Sequence, residues 1–188
     1  MLKKFIPELI KAPLRSRLHE RRLYRSEAGQ DLWVFGEVFN EQRNGFFLDI
    51  GAHDGVAISN TYILENRFDW RGICIEANPD TFGLLKRNRR CQTVNVCLDQ
   101  TEGEIAFTKN GVYGGIISSE TDNKPGSPKG DVIVVPTTTL NRVCRRGREL
   151  LIITGSKLRT KDAARPLRLT TRTGCFIALE RRERTLHG

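Results

Sequence analysis

The chain has 188 residues, with 31 Lys or Arg against 22 Asp or Glu, a formal net charge of +9. That length fits one domain, and 38% apolar with 28% charged residues favours a packed core over global disorder. No apolar run approaches the ~18–20 residues of a membrane span, which argues against an integral helical membrane protein.

In chain order, residues 1–25 come first and carry a net +6. Leu2, Phe5, Ile6, Leu9 and Ile10 recur at helical spacing, interrupted by Pro7 and Pro13. The segment lacks the long apolar stretch and cleavage site of a signal peptide. It reads as a basic amphipathic helix packing one face on the domain, with an anionic membrane surface as the alternative contact. Residues 26–140 are net −6 and residues 141–188 net +9. A pI near 9.7 would suggest nucleic acid as partner. The basic excess, however, lies wholly in the flanks of an acidic middle.

Phe46-Phe47-Leu48-Asp49-Ile50 predicts a buried strand entering the glycine turn Gly51-Ala52-His53-Asp54-Gly55. Val56 to Arg67 follows with near-helical spacing of Ile58, Tyr62 and Ile63. Gly72-Ile73-Cys74-Ile75-Glu76 predicts a second buried strand, and Pro79 suits the first turn of a helix that ends in the basic run Lys86 to Arg90. Thr93 to Leu98 predicts a third strand ending at Asp99. Glu104–Phe107 and Asp131–Val135 are further strand candidates, 109–130 reads as a long loop, and Thr137 to Val143 opens a helix. Strand, helix, strand, helix, strand predicts an α/β fold with a parallel sheet and ligands beyond the strand carboxyl ends. Asp49, Glu76 and Asp99 fall at or beside those ends. Five cysteines without C-x-x-C spacing, and only three histidines, argue for free thiols in a reducing cytoplasm and against a zinc site.

The turn after the first strand carries the chemistry. Its pattern is not the G-x-G-x-x-G of dinucleotide binders and not a P-loop. Asp49 and Asp54 disfavour a pyrophosphate and suit a cationic ligand. Glu76 lies 21 residues past Gly55 and ends the next strand, where an acid accepts hydrogen bonds from both ribose hydroxyls. Ribose plus a cationic group without phosphate describes S-adenosylmethionine. The structural alternative is a generic α/β turn with an exposed aspartate pair and a surface glutamate.

The runs FFLDIGAHDGVAISNT, WRGICIEANPDTFGLLKRNR and VNVCLD resemble the FkbM-type methyltransferases, as do the lead-in Ser26-Glu27-Ala28-Gly29-Gln30-Asp31 and the stretch Val135-Pro136-Thr137-Thr138-Thr139-Leu140. The resemblance covers about residues 24–143. It implies an S-adenosylmethionine-dependent O-methyltransferase with a class I Rossmann-like parallel sheet. It implies that Asp49, Gly51, Ala52 and Gly55 line the methionine part, where Asp54 would join Asp49 in meeting the ammonium, and that Ser59 and Asn60 add hydrogen bonds. Glu76 would hold the ribose, Ala77 and Asn78 lie beside the adenosine, and Asp99 meets the adenine. Gln30 and Asp31 would close over the cofactor or, alternatively, cap the next helix. Ser59 and Asn60 have the alternative of ordinary first-turn residues. His53 is a candidate base whose plainer reading is structural.

The resemblance breaks after Leu140. No D-x-E-G motif follows, and the tail from Cys144 to Thr173 is rich in Arg and Thr. Gly174 to Arg181 then resembles a late strand of the family. Either the reading frame is shifted across about 145–173, or Leu150-Leu151-Ile152-Ile153 is a replacement fourth strand. The expected organisation is a basic segment over 1–25, the cofactor domain over 26–143 and a diverged or frameshifted tail over 144–188, with a sheet truncated or degenerate at its C-terminal end. The expected activity is methylation of a hydroxyl on a small molecule or sugar. The rivals are a relic that binds cofactor without turnover and a nucleic-acid-binding protein using the basic ends.

Overall fold

The computed structural model describes residues 24–27, 29–119, 121, 123–126, 130–143, 150–154, 168–172 and 175–180. The expected N-terminal helix and most of the tail lie outside them. In chain order the elements are α1 (Gln30–Trp33), a π-helical turn (Val34–Val38), β1 (Phe46–Ile50), α2 (Tyr62–Phe68), β2 (Arg71–Ile75), α3 (Pro79–Asn88) and β3 (Gln92–Val94). There follow β4 (Cys97–Leu98), β5 (Gly103–Lys109), β6 (Gly115–Ile116), β7 (Asp131–Thr138), α4 (Leu140–Val143), β8 (Leu150–Thr154), β9 (Arg168–Arg172) and β10 (Cys175–Glu180).

The main sheet has six strands in the order β3-β2-β1-β8-β10-β9. β3, β2, β1 and β8 are parallel, with Asp49 opposite Cys74 and Ile50 opposite Ile75. β10 and β9 run antiparallel to their neighbours, so the sheet is mixed. Only Thr173 and Gly174 separate β9 from β10 in sequence. A link that short joins antiparallel strands and no crossover.

The run Thr93 to Leu98 does not form the single strand its composition predicts. β3 stops at Val94 because the Asn95 side chain turns back and donates to the Glu76 and Ala77 carbonyls (2.7 and 3.1 Å). The chain resumes as β4 in a second sheet of order β4-β7-β5-β6. The stretch read as a long loop contributes β6 to that sheet.

Strand alternation sorts the core into two layers. Phe47 and Cys74 face Val34, Phe35, Ile63, Leu64, Trp70 and Leu85 from the helical elements. Leu48, Ile50, Ile73 and Ile75 face the other way, against Leu98, Leu140 and Val143. Ile105, Phe107, Ile133 and Val135 form a third cluster between the second sheet and Ala77. Gly72 is required by close approach, because a Cβ there would overlap the Phe47 ring.

The helix expected from Val56 begins only at Tyr62. Asp54 Oδ1 takes the amides of Val56 and Ala57 (2.9 and 2.8 Å), and Ser59 Oγ takes those of Thr61 and Tyr62 (3.3 and 3.1 Å). Ile58 has φ 50°, which breaks helical continuity. α3 follows its expectation: Asn78 caps it by accepting from the Asp80 amide, and Pro79 occupies the first turn.

One buried cation ties these pieces together. Arg89, at the end of α3, is 5% exposed and pairs through Nε with Glu65 of α2. Its Nη1 donates to the Gly55 carbonyl (3.1 Å) and Ser59 Oγ (3.3 Å), and its Nη2 to Thr61 Oγ1 (3.0 Å). Thr61 Oγ1 in turn donates to Asp49 Oδ2 (2.5 Å). The guanidinium also stands 5.4 Å from the Phe47 ring centroid. Glu65 takes the backbone amides of Arg90 and Cys91 (2.7 and 2.8 Å), so both charges are saturated with partners.

Arg89→Ala strands Glu65 in the core and should cost about 3–5 kcal/mol in urea unfolding. Arg43→Ala, which breaks a solvent-exposed pair with Asp69 (3.0 Å), should cost about 0–1 kcal/mol. Similar losses for the two variants would refute the organising role of Arg89. Gly72→Ala should lose about 1–3 kcal/mol through collision with Phe47, read as a fall in the unfolding midpoint.

Candidate functional site

The site forms where β1 and β2 end side by side. Beyond Ile50 the chain turns sharply, and the Gly51 and Ala52 amides both donate to the Ile75 carbonyl (2.9 and 3.0 Å). This docks the turn onto the end of β2. Gly55 closes it with φ 78°, and a Cβ there would meet Arg89 Cγ and Leu85 Cδ1 at 2.6 Å. Its glycine is therefore demanded by α3 packing and by a left-handed backbone together. His53 and Ile58 adopt positive φ without being glycine (52° and 50°), so the 51–61 segment holds strained backbone.

Glu76 is the centre of the site. It follows β2 directly and is only 6% exposed. Its Oε2 accepts the His53 amide (2.8 Å) and its Oε1 the Asn78 amide (2.7 Å). One carboxylate thus links the turn after β1 to the cap of α3. Two amide donors fill about half of the roughly four acceptor positions of a carboxylate. Ala77 and Asn78 are buried beside it, and Asn95 fixes the Glu76 and Ala77 carbonyls from below.

The remaining predicted residues divide into three groups. Asp49 is buried on β1 and points to Thr61. Burial pushes its carboxyl above the usual range, Arg89 and the Thr61 hydroxyl oppose this, and Glu76 adds to the rise. Asp54, Ser59 and Asn60 lie in the segment between the turn and α2. The first two spend their side chains on its backbone, and Ser59 and Asn60 are buried. Asp99 follows β4 in the second sheet, its amide donating to the Thr138 carbonyl (3.0 Å). It comes near the strand ends through Cys97, whose thiol is pushed up to about 12 by burial first and then by Asp99 and Glu76.

The lead-in stands apart. Asp31 is fully buried and accepts from the Arg25 and Ser26 amides (2.8 and 3.2 Å), the Ser26 hydroxyl (2.5 Å) and the Leu32 amide (2.8 Å). It organises its own loop and the start of α1, where Gln30 is half-buried. The Arg25 guanidinium reaches 5.5 Å from the Tyr62 ring, which brings the lead-in to the start of α2. His53 Nδ1 is buried without a hydrogen bond and lies 3.7 Å from Asp54 Oδ1.

Arg89, Glu65 and Thr61 are the residues sequence reasoning missed. Arg89 reads as one of several cations at a helix end. Its signal is spacing: it stands four residues after Leu85, so both share one face of α3, and Leu85 is fully buried. Among the described residues no group of three or more His, Cys, Asp or Glu could hold a metal ion, and no helix is long and apolar enough to cross a membrane.

No curated protein and no solved structure matches the chain. The family model for the methyltransferase FkbM domain matches residues 49–153. Its span starts at Asp49, takes in the turn, Glu76, Arg89 and the second sheet, and ends in β8. With more than half of its length matched, the chain belongs to the FkbM-domain methyltransferase family.

Proposed function

We propose that the chain is an S-adenosylmethionine-dependent O-methyltransferase built on a class I Rossmann-like sheet, acting on a hydroxyl of a small molecule or sugar. The carrying observation is Glu76: a buried carboxylate at the end of β2, held by the His53 and Asn78 amides against the turn that follows β1. Its unfilled acceptor positions suit the two hydroxyls of a ribose. Asp49, Asp54 and Glu76 together make the strand ends acidic, which suits a cationic ligand and repels a pyrophosphate. When bound, the cofactor supplies a methyl group on a cationic sulfur.

The residues of the chain orient and shield. Glu76 takes the ribose, with Ala77 and Asn78 beside the adenosine and Asp99 toward the adenine. Gly51, Ala52 and Gly55 shape the turn around the methionine part. Asp49 secures that turn through Thr61, and Asp54, Ser59 and Asn60 hold the segment leading to α2. Gln30 lies in the lead-in, which Asp31 holds together at the start of α1. In-line transfer to an acceptor oxygen then depends chiefly on positioning and exclusion of water. We assign residues 26–143 to the cofactor domain, with a basic segment before it and a diverged or frameshifted basic tail after it.

A second reading is favoured by β8. This strand lies against β1, and its sequence Leu150-Leu151-Ile152-Ile153-Thr154 contains no ionisable residue. A protein that holds the cofactor without turnover fits that composition.

S-adenosylmethionine should raise the melting temperature of the wild-type chain, corresponding to about 2.7 kcal/mol at a hundredfold excess over Kd. Glu76→Ala should lose most of that shift, judged against its own ligand-free melting temperature. A full shift in the variant overturns the ribose assignment. Incubation with methyl-labelled cofactor and a panel of hydroxylated acceptors separates the two readings. Transfer establishes the enzyme, binding without transfer establishes the relic, and no binding removes both.

A further inference from the structure

Cys74 and Cys91 bring two sulfurs together. The Cys91 thiol donates to Cys74 Sγ across 3.4 Å. Cys74 lies on β2, wholly buried against Phe47 and Leu85. Cys91 is half-buried and directly precedes β3, two residues before Thr93, the residue opposite Cys74 in register. That even spacing puts both side chains on the same face of the sheet. Cys97 lies in the other sheet, its sulfur 3.9 Å from the Leu98 carbonyl.

The two thiols differ in access. A cavity of about 490 Å³ opens where β2 and β3 begin, at the end of the sheet opposite Glu76. Trp70, Arg71, Arg90, Cys91 and Gln92 line it, and Cys74 does not. A small solute entering there meets one sulfur, with a second directly behind it.

We propose that Cys91 is a site of oxidation by a peroxide, and that Cys74 resolves it into a reversible intrachain disulfide. The Cys91 sulfur attacks one peroxide oxygen. The O–O bond breaks, an S–O bond forms, and the first water leaves with the Cys91 proton. Cys74 then attacks the Cys91 sulfur. The S–S bond forms, the S–O bond breaks, and the second water leaves with the Cys74 proton. Two thiols are oxidised by two electrons and one peroxide is reduced to two waters. Closing the bond requires the sulfurs to approach from 3.4 Å to about 2.05 Å. The order of attack follows from burial and from charge. The hydrogen bond from Cys91, the largest cause, then burial and Asp49 push the Cys74 thiol well above its usual range, and oxidation of Cys91 removes that hydrogen bond before Cys74 attacks. The site is independent of the methyl-transfer reading.

The test uses the full chain, reduced, desalted and treated with equimolar hydrogen peroxide before alkylation and peptide mapping. Two of the five thiols should disappear, with a linked Cys74–Cys91 peptide in monomeric protein and full recovery of thiols in dithiothreitol. Cys74→Ser should leave Cys91 as a sulfenic acid that dimedone captures, and Cys91→Ser should leave Cys74 unreacted. The triple variant C97S/C144S/C175S should still lose both thiols. Overoxidised Cys91 with Cys74 still alkylatable in the wild type, bridges between chains, or five intact thiols would each overturn the proposal.

Discussion

The guanidinium of Arg89 is the interaction on which this arrangement depends. It belongs to α3, yet its partners are Glu65 on α2, Gly55 and Ser59 in the segment after β1, and Thr61, which holds Asp49 on β1. A lone buried cation would be prohibitively costly. Here four hydrogen bonds from one rigid fork meet a carboxylate, a carbonyl and two hydroxyls, which is the geometry arginine supplies and lysine does not. The consequence is mechanical. Strand end, glycine turn and both flanking helices form one connected unit, so the turn's position is set by α3 as much as by β1.

Glu76 performs the matching task from the other side. It receives one amide from the turn and one from the cap of α3. Arg89 and Glu76 thus brace the same turn, the first through its carbonyl and hydroxyl acceptors and the second through a backbone donor. That double bracing explains how His53 and Ile58 persist at positive φ, since strain of this kind survives only where the surroundings over-determine it. It also explains why acidic residues can gather at these strand ends. Asp54 and Glu76 are met by backbone amides and Asp49 by a hydroxyl with Arg89 behind it.

The parts legible in the sequence were those written in periodicity and turn chemistry. The apolar runs at Phe46 and Gly72 became β1 and β2, Asn78-Pro79 became the cap of α3, and the FkbM resemblance agrees with the matched family. Local hydrogen-bond competition hid the rest. Ser59 and Asp54 side chains displace helical bonds over 56–61, and Asn95 divides a continuous β-like run between two sheets. Arg89 was hidden because a cation at a helix end already has a sufficient surface explanation in the helix dipole. Only its partners, 24 to 34 residues away, distinguish it from Lys86 or Arg87.

Everything that braces the candidate cofactor site comes from residues 49–95, the β1–β3 half of the main sheet. The other half meets β1 through β8, whose five residues carry no ionisable group. The net −6 of residues 26–140 belongs to the half that is braced, and the +9 of residues 141–188 to the other. Charge changes sign across the junction after Leu140, whereas the family match runs through it to residue 153. Arg89 and Glu76 therefore lock the turn after β1 from two sides, whichever ligand that turn receives.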